Sequence, residues 1–270
     1  MYIGNREFLD KGKTYIFGIL NVTPDSFSDG GEYSNIDAAL LHSEKMIKEG
    51  VDIIDVGGES TRPGYTLISD EEEISRVAPV IEKIKSEFDI PVSLDTYKSK
   101  VAKAGIEAGA DLINDIWGLQ YDKNMGKVIA ESGVACCLMH NRKEINYLSF
   151  SEDLYLDLSY ILNDALRAGI SEDKIILDPG VGFAKTTEHN LYVLQNMEML
   201  NHLGCPWLLG ASRKSVIGNT LKLPVNERLE GTLATTALAV MKGASYVRVH
   251  DVLENRRMID MLEAVRDAKI

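Results

Sequence analysis

Polar side chains end nearly every apolar run of this 270-residue sequence. They are Asn21, Asp55, Asp95, Asn114 with Asp115, His140, Asp178, Ser212 to Lys214, and Arg248 with His250. Carboxylates accept pairs of N–H groups, amides donate and accept, and basic side chains supply positive charge. A single Asp or Asn at such a position is more often a helix cap or a loop hydrogen bonder. Seven or eight such residues, gathered at one end of a set of neighbouring strands, are harder to explain as caps.

Three of these residues predict a surface that binds a flat polar ring. Asp95, Asn114 and Asp178 together accept and donate hydrogen bonds, which suits an aminopyrimidinone-like heterocycle. Side chains alternate between the two faces of a strand, so Asn114 and Asp115 point in opposite directions. If Leu112 faces the interior, Asn114 does too, and it is the better candidate.

A second group of residues predicts an anion site. The whole chain has a net charge of −12, so an anionic ligand needs a local basic pocket. Arg62, Lys214, Arg248 and His250 supply positive charge, and Asn21 offers a neutral oxygen that can orient a metal-bound phosphate. This side suits a diphosphate with Mg²⁺. A lone histidine is more often structural, and of the two at strand ends we keep His250 rather than His140 as a candidate.

The order of apolar and amphipathic segments predicts a single (β/α)8 TIM barrel, an α/β fold, over residues 1–270. The runs begin about every 33 residues, the length of one βα unit. Between them lie helical patterns, such as the stripe Ile74, Val77, Ile81 and Ile84, and a pattern that stops at Gly50. The strand candidates are 15–22, 53–57, 92–95, 112–116, 134–139, 175–178, 207–210 and 246–249. We expect residues 1–13 to cap the barrel bottom.

Composition excludes several classes of protein. The 45% hydrophobic and 26% charged content exclude disorder and a fibrous fold, and 41 acidic against 29 basic residues argue against a nucleic-acid binder. The charged start and the lack of a long apolar stretch argue against a secretory signal and a membrane span. Three cysteines without a CxxC spacing predict buried reduced thiols. We expect a soluble cytoplasmic protein with no nucleic-acid or membrane partner.

Two polar, glycine-ended loops are long for βα connections. Residues 21–31 and 57–64 are predicted to cover the barrel mouth, although Pro and Gly also make ordinary turns. Neither loop has the GxxxxGK[ST] pattern of a phosphate-binding loop. Their spacing alone therefore leaves a lid and a simple turn equally open.

The motifs at these strand ends resemble the dihydropteroate synthase family over nearly the whole chain. They are 18–30 (GILNVTPDSFSDG), 55–64 (DVGGESTRPG), 93–96 (SLDT), 113–115 (IND), 138–140 (LMH), 177–183 (LDPGVGF), 210–215 (GASRKS) and 248–250 (RVH). The resemblance implies the barrel fold, a homodimer, and transfer of a dihydropterin-methyl group from its diphosphate ester to p-aminobenzoate with Mg²⁺. It departs from the family after His140, where Asn141-Arg142-Lys143 stands in place of Met-Arg-Gly or Met-Gln-Gly.

The same resemblance implies a role for individual residues. The pterin contacts are Asp95, Asn114, Met139, Asp178, Phe183, Gly210 and Lys214; the p-aminobenzoate contacts are Thr61, Arg62, Pro63 and Ser215; and the diphosphate contacts are Asn21, Thr61, Arg248 and His250. Asn21 is also the implied Mg²⁺ residue, and Lys214, Arg248, His250 and Asp95 are the implied catalytic residues. Two other functions stay open: a methyltetrahydrofolate methyltransferase, which should lack the Ser-Arg-Lys-Ser and Thr-Arg-Pro segments, and a non-catalytic pterin-binding paralogue.

Overall fold

The computed structural model describes residues 1–9, 12–23, 32–59 and 67–269, with backbone alone at 32–35. After a short antiparallel hairpin, β1 (Tyr2–Ile3) and β2 (Arg6–Glu7), eight parallel strands follow. They are β3 (Tyr15–Asn21), β4 (Ile53–Gly57), β5 (Val92–Asp95), β6 (Leu112–Asp115), β7 (Ala135–Met139), β8 (Ile175–Asp178), β9 (Leu208–Leu209) and β10 (Tyr246–Val249). Each lies within a predicted run, so the predicted strands are confirmed.

The eight strands close into a barrel. Their order is β8-β7-β6-β5-β4-β3-β10-β9, and the two ends meet at a parallel bridge between Leu177 and Trp207. The backbone N–H of Leu177 donates to the carbonyl of Pro206 at 3.0 Å. Because β9 is only two residues long, this bridge completes the closure that the sequence spacing predicts.

Helices cover the outside of the barrel. They are α1 (Glu32–Lys48), α2 (Asp70–Glu87), α3 (Ser99–Glu107), α4 (Met125–Ser132), α5 (Phe150–Arg167), α6 (Thr187–Gln195), α7 (Ser215–Leu221), α8 (Leu229–Met241) and α9 (Val252–Arg266), with short 3₁₀ turns at Glu172–Lys174, Met197–Leu203 and Val225–Glu227. In the stripe predicted in α2, Val77, Ile81 and Ile84 are buried and Ile74 is half-buried. Ser69 caps this helix by accepting the N–H of Glu72 at 3.1 Å. Gly50 has a φ of +91°, as expected after a helix end.

The core has an outer and an inner part. The outer part packs helices against strands so closely that a Cβ at Gly18 would lie 2.7 Å from Met46 and Val51. The inner part fills the lower half of the barrel with the inward side chains Phe17, Ile53, Leu112, Ala135, Cys137, Ile176, Leu208 and Tyr246. Helix–strand contact thus requires a glycine at position 18, while the barrel interior is solid below the site.

The N-terminal hairpin closes the bottom of this inner core. Ile3 and Phe8 are fully buried in the same cluster, and the Phe8 ring meets Tyr15 edge-on with centroids 4.8 Å apart. Lys174 Nζ donates to the carbonyl of Tyr2 at 2.9 Å and fixes the hairpin from outside. The predicted cap at the barrel bottom is therefore confirmed.

Two further expectations concern thiols and membranes. All three cysteines, Cys136, Cys137 and Cys205, are buried and unpaired, as predicted. Within the described ranges, the helices are all too short or too polar to cross a bilayer.

We predict that Phe8→Ala lowers the free energy of unfolding by about 3–5 kcal/mol, because it leaves a cavity beneath Phe17 and Tyr246. The matched control is Tyr2→Ala in the same hairpin, where the side chain is 51% exposed and a change within about 0.5 kcal/mol is expected. Urea unfolding followed by circular dichroism measures both. Equal midpoints for Phe8→Ala and the native protein would show that the cap does not belong to the cooperative fold.

Candidate active site at the barrel mouth

A buried arginine lies in the barrel above the apolar layer. On β10, Tyr246 points into the lower core and Arg248, two residues later, points the same way one layer higher. The Arg248 Nε donates to Asp55 Oδ2 at 2.5 Å and its Nη2 donates to Asp95 Oδ2 at 2.6 Å. Although burial alone lowers the pKa of Arg248, Asp55 and Asp95 raise it above its ordinary value. The guanidinium is therefore always charged.

Both carboxylate oxygens of Asp55 accept hydrogen bonds from other residues of the protein. Its Oδ1 accepts the Ser93 hydroxyl at 2.5 Å, and its Oδ2 accepts Asn114 Nδ2 at 3.3 Å in addition to Arg248. The side chain is fully buried. Asp55 therefore orients Asn114 and Arg248 rather than facing a ligand.

Asp95 differs from Asp55 because only one of its two carboxylate oxygens has a hydrogen-bond partner among the described residues. Its Oδ2 binds Arg248, but Oδ1 is buried and has no partner among the described residues. Burial raises the pKa of Asp95 to about 7; Arg248 opposes this rise and the charge of Asp55 adds to it. An unsatisfied buried acceptor costs about 1–3 kcal/mol, so this oxygen points to a ligand that donates an N–H or O–H group.

Asp178 and Lys214 form the opposite side of the site. Asp178 Oδ1 accepts the Gly180 N–H at 2.7 Å, and Lys214 Nζ donates to the Val181 carbonyl at 2.5 Å. Burial raises the pKa of Asp178 and lowers that of Lys214 to about 8. A Cβ at Gly210 would lie 3.6 Å from Asp178 Oδ2 and 3.7 Å from Lys214 Nζ. The glycine therefore keeps the space between these two groups open.

Apolar side chains complete the wall around these polar groups. Tyr97, Ile116 and Met139 form a separate buried cluster, against which Trp117 and Phe183 pack. The ammonium of Lys214 lies 4.7 Å from the centroid of the Phe183 ring, a cation–π contact. A flat ring with polar edges suits this combination of apolar faces and hydrogen-bonding groups.

The predicted anion side is built from the ends of β3, β9 and β10. The Ser212 Oγ lies 3.0 Å from His250 Nδ1 and accepts the backbone N–H of His250 at 3.2 Å. Asn21 ends β3, with its Oδ1 3.6 Å from where a Cβ on Gly57 would lie. Arg213 instead turns away and its Nε binds Asp251 at 3.0 Å. In the run Ser212 to Lys214, the side chains of Ser212 and Lys214 therefore lie at the site, and that of Arg213 does not.

The structure brings most predicted ligand residues to one rim. Asp95, Asn114, Asp178, Lys214 and Arg248 interact directly or through one shared partner. Ser215 begins α7, directly after Lys214. Thr61, Arg62 and Pro63 lie outside the described residues, as do 24–31 of the first predicted loop and 60–64 of the second.

Three side chains matter here beyond the predicted set. Asp55 was recognisable as a strand end on the same face as Ile53, but nothing in the sequence pairs it with Arg248. Asp115 accepts the N–H groups of Trp117 and Leu119, at 2.8 and 2.7 Å, so its carboxylate serves the following turn, and Asn114 stays the predicted ligand residue of β6. Lys185 is 8% exposed and contacts the fully buried His140, although loop lysines usually face water.

Comparison with known proteins places these residues in a family context. The family model described as "Pterin binding enzyme" matches residues 17–250. A dihydropteroate synthase of Clostridium beijerinckii is 58% identical over 98% of this chain and 99% of its own length. A Clostridium difficile dihydropteroate synthase solved with pteroic acid superimposes with a TM-score of 0.93, at 48% identity over 96% of this chain and all of the other. One from Xanthomonas albilineans with 4-aminobenzoic acid gives 0.91, at 38% identity over 95% and 94%.

We predict that Asp55→Leu lowers the free energy of unfolding by about 3–5 kcal/mol, because it leaves the buried Arg248 with one carboxylate. Adding Arg248→Met should recover part of this loss, since an apolar pair can replace a buried ion pair. As a control, Asp267→Asn breaks the exposed contact with Arg266 and should not change stability. Chemical denaturation measures all three; no recovery in the double variant would mean that Asp55 stabilises the barrel independently of Arg248.

Proposed function

The chain belongs to the dihydropteroate synthases of the pterin binding enzyme family, and we propose that Asp95, Asn114 and Asp178 hold its pterin substrate while Arg248 and His250 bind the diphosphate. The enzyme condenses (7,8-dihydropterin-6-yl)methyl diphosphate with p-aminobenzoate, which gives 7,8-dihydropteroate and pyrophosphate in folate biosynthesis. The observation that carries the assignment of the pterin side is the partnerless oxygen of Asp95.

The pterin ring presents N–H groups and a carbonyl along its pyrimidinone edge. Asp95 Oδ1 accepts one N–H group, and Asp178 accepts another across the space above Gly210. Asn114 and Lys214 donate to the acceptors of the ring, while Met139 and Phe183 contact its faces. The ring thus provides hydrogen-bond partners for polar groups that are already buried. The site recognises both the shape of the ring and its pattern of donors and acceptors.

The reaction needs no nucleophile from the protein. The C–O bond at the methylene breaks with its electron pair going to pyrophosphate, and the aryl amine forms the new C–N bond and loses a proton. Positive charge develops on the methylene and ring, and the carboxylates of Asp95 and Asp178 stabilise it. Arg248 uses two of its five N–H donors on Asp55 and Asp95, and its remaining donors, with His250, bind the departing diphosphate.

Asn21 fits a magnesium ion that arrives with the diphosphate. Within the described ranges, no group of three His, Cys, Asp or Glu side chains could hold a metal ion. Mg²⁺ prefers oxygen ligands and usually keeps substrate phosphates and water in its shell. A single amide oxygen at the end of β3 matches that need, and the ion would neutralise charge on the leaving diphosphate.

The p-aminobenzoate side rests on residues 61–63 and Ser215. We assign Thr61, Arg62 and Pro63 to the closure over the aryl ring and Ser215 to the carboxylate. Thr61 also contacts the diphosphate. Support comes from the matching segments 55–64 and 210–215 and from the relative that was solved with 4-aminobenzoic acid.

We further propose one functional domain, a homodimer and a cytoplasmic location. Exposed apolar side chains on the neighbouring helices α8 and α9, among them Met241, Met261 and Val265, support a dimer contact that would cover them. The three buried unpaired thiols agree with a reducing compartment.

The test of the function is pyrophosphate release by the purified protein. Release and dihydropteroate formation should require the dihydropterin diphosphate, p-aminobenzoate and Mg²⁺ together. Two variants separate the subsites. Asp95→Asn should weaken binding of the diphosphate ester and of the corresponding alcohol, 6-hydroxymethyl-7,8-dihydropterin, by at least tenfold, because an amide cannot replace both acceptors. His250→Ala should weaken binding of the ester but leave the alcohol unchanged.

Isothermal titration calorimetry measures both ligands against both variants. Full turnover by Asp95→Asn would remove Asp95 from the pterin site. Equal losses for the two ligands in His250→Ala would contradict a diphosphate role for His250.

The ionisation of Asp95 and Lys214 predicts a narrow pH window for pterin binding. Below its pKa of about 7, Asp95 becomes protonated and loses an acceptor, so affinity falls as the pH decreases. Above its pKa of about 8, Lys214 loses its charge, so affinity falls as the pH rises. Binding of the alcohol should be tightest between these values. Lys214→Arg keeps its charge and should reduce the alkaline decline, and the part that remains belongs to Lys185, whose burial lowers its pKa to about 7. An unchanged decline would exclude Lys214 as a cause.

A further inference from the structure

A second buried lysine lies beneath the turn that follows β8. Lys185 Nζ donates to the carbonyl of Gly180 at 3.0 Å and to that of Phe183 at 3.1 Å, and it lies 2.8 Å from His140 Nδ1. These three acceptors match the three N–H donors of an ammonium group. Burial lowers the pKa of Lys185 to about 7, while the negative charge of Asp178 raises it. The lysine therefore lies largely inside the turn, whereas a loop lysine ordinarily faces solvent.

His140 orients this lysine. Because an ammonium group has no acceptor, His140 Nδ1 must accept, so the ring proton lies on Nε2. That nitrogen is 2.9 Å from Asp157 Oδ2, which also accepts Arg142 Nε at 2.7 Å. Burial lowers the pKa of His140 to about 4, so the ring is neutral at neutral pH. Asp157, His140 and Lys185 thus form one continuous hydrogen-bonded chain from α5 to the turn.

The braced turn carries half of the proposed pterin site. Gly180 N–H holds Asp178, the Val181 carbonyl holds Lys214, and Phe183 packs beneath the Lys214 ammonium. Lys185 binds the carbonyls on either side of Val181, at Gly180 and Phe183. At Gly180, whose φ is +69°, a Cβ would lie 2.0 Å from the His140 carbonyl oxygen, so the turn rests directly on the end of β7.

We propose that Lys185, oriented by His140 and Asp157, is a positioning residue that holds the 178–183 turn in the shape that binds the pterin ring. The inference rests on the proposed pterin role of Asp178, Phe183 and Lys214. His140 supplies both an acceptor for Lys185 and a donor for Asp157. Without the brace, the turn carbonyls are released, and Lys214 and Phe183 lose their fixed places relative to Asp178.

The sharpest test compares two substitutions at one position. Glutamine offers an acceptor and a donor as neutral imidazole does, whereas leucine offers neither. His140→Gln should bind 6-hydroxymethyl-7,8-dihydropterin within threefold of the native protein, and His140→Leu should bind it at least tenfold more weakly. Lys185→Met should lose at least tenfold as well. Lys174→Met is the matched control, since Lys174 also binds a backbone carbonyl, but at the barrel bottom, and its pterin affinity should not change.

A positioning role predicts a selective kinetic effect. In His140→Leu and Lys185→Met, the KM for the dihydropterin diphosphate should rise at least tenfold. At saturating diphosphate, the KM for p-aminobenzoate should stay within twofold. A merely structural role would instead lower the melting temperature and the active fraction without changing either KM. Thermal unfolding of every variant identifies those that fail to fold, and His140→Gln then carries the comparison with the native protein.

Two outcomes overturn the proposal. One is native pterin affinity in a folded Lys185→Met protein. The other is equal pterin affinity in His140→Gln and His140→Leu. Both are distinct from a failure of the proposed function, in which the native protein itself would neither bind the dihydropterin nor form dihydropteroate.

Discussion

The charge of Arg248 inside the barrel is the constraint on which the upper half of the interior depends. An uncompensated buried guanidinium is strongly destabilising, so carboxylates must surround it. Asp55 and Asp95 do so from neighbouring strands, and Ser93 and Asn114 then satisfy the other acceptor positions of Asp55. One inward arginine thus determines the residue types of three adjacent strands. Below it, where no charge needs a partner, the interior is apolar.

The same ion pairs prepare the enzyme for its substrate. Two carboxylates face one guanidinium. Both oxygens of Asp55 accept hydrogen bonds from the protein, whereas Asp95 has one buried oxygen with no partner among the described residues. That oxygen lowers the stability of the free protein, because a buried acceptor without a partner costs free energy. A ligand N–H that binds it removes this cost and so increases the affinity for the ligand. Burial also places the pKa values of Asp95 and Lys214 near neutrality, so the negative charge of Asp95 and the positive charge of Lys214 coexist only in a limited pH range.

The periodicity of the sequence predicts the barrel. The contacts within the site join residues that are far apart in sequence, and the sequence does not predict them. Eight apolar runs separated by segments long enough for a helix predict the strands, and alternation within β6 separates Asn114 from Asp115. The partners of Arg248 lie 193 and 153 residues away in sequence, and those of Lys185 include His140, 45 residues away. A charge pattern shows that a cation is present but does not show which carboxylate or carbonyl it meets after folding. The resemblance to a known family supplied the pterin, which strand ends alone predict only as a polar heterocycle.

Buried lysines solve a problem that the barrel creates at its mouth. Strands end there, so the backbone carbonyls of the next residues lose their ladder partners and must find donors elsewhere. Lys185 binds two of them after β8, and Lys98 binds the Ile68 carbonyl beside the second loop while Glu59 and Glu73, each 2.7 Å away, balance its charge. Cations at this rim therefore divide into those assigned to the ligand, such as Arg248 and Lys214, and those that shape the loops, such as Lys185 with its two carbonyl partners.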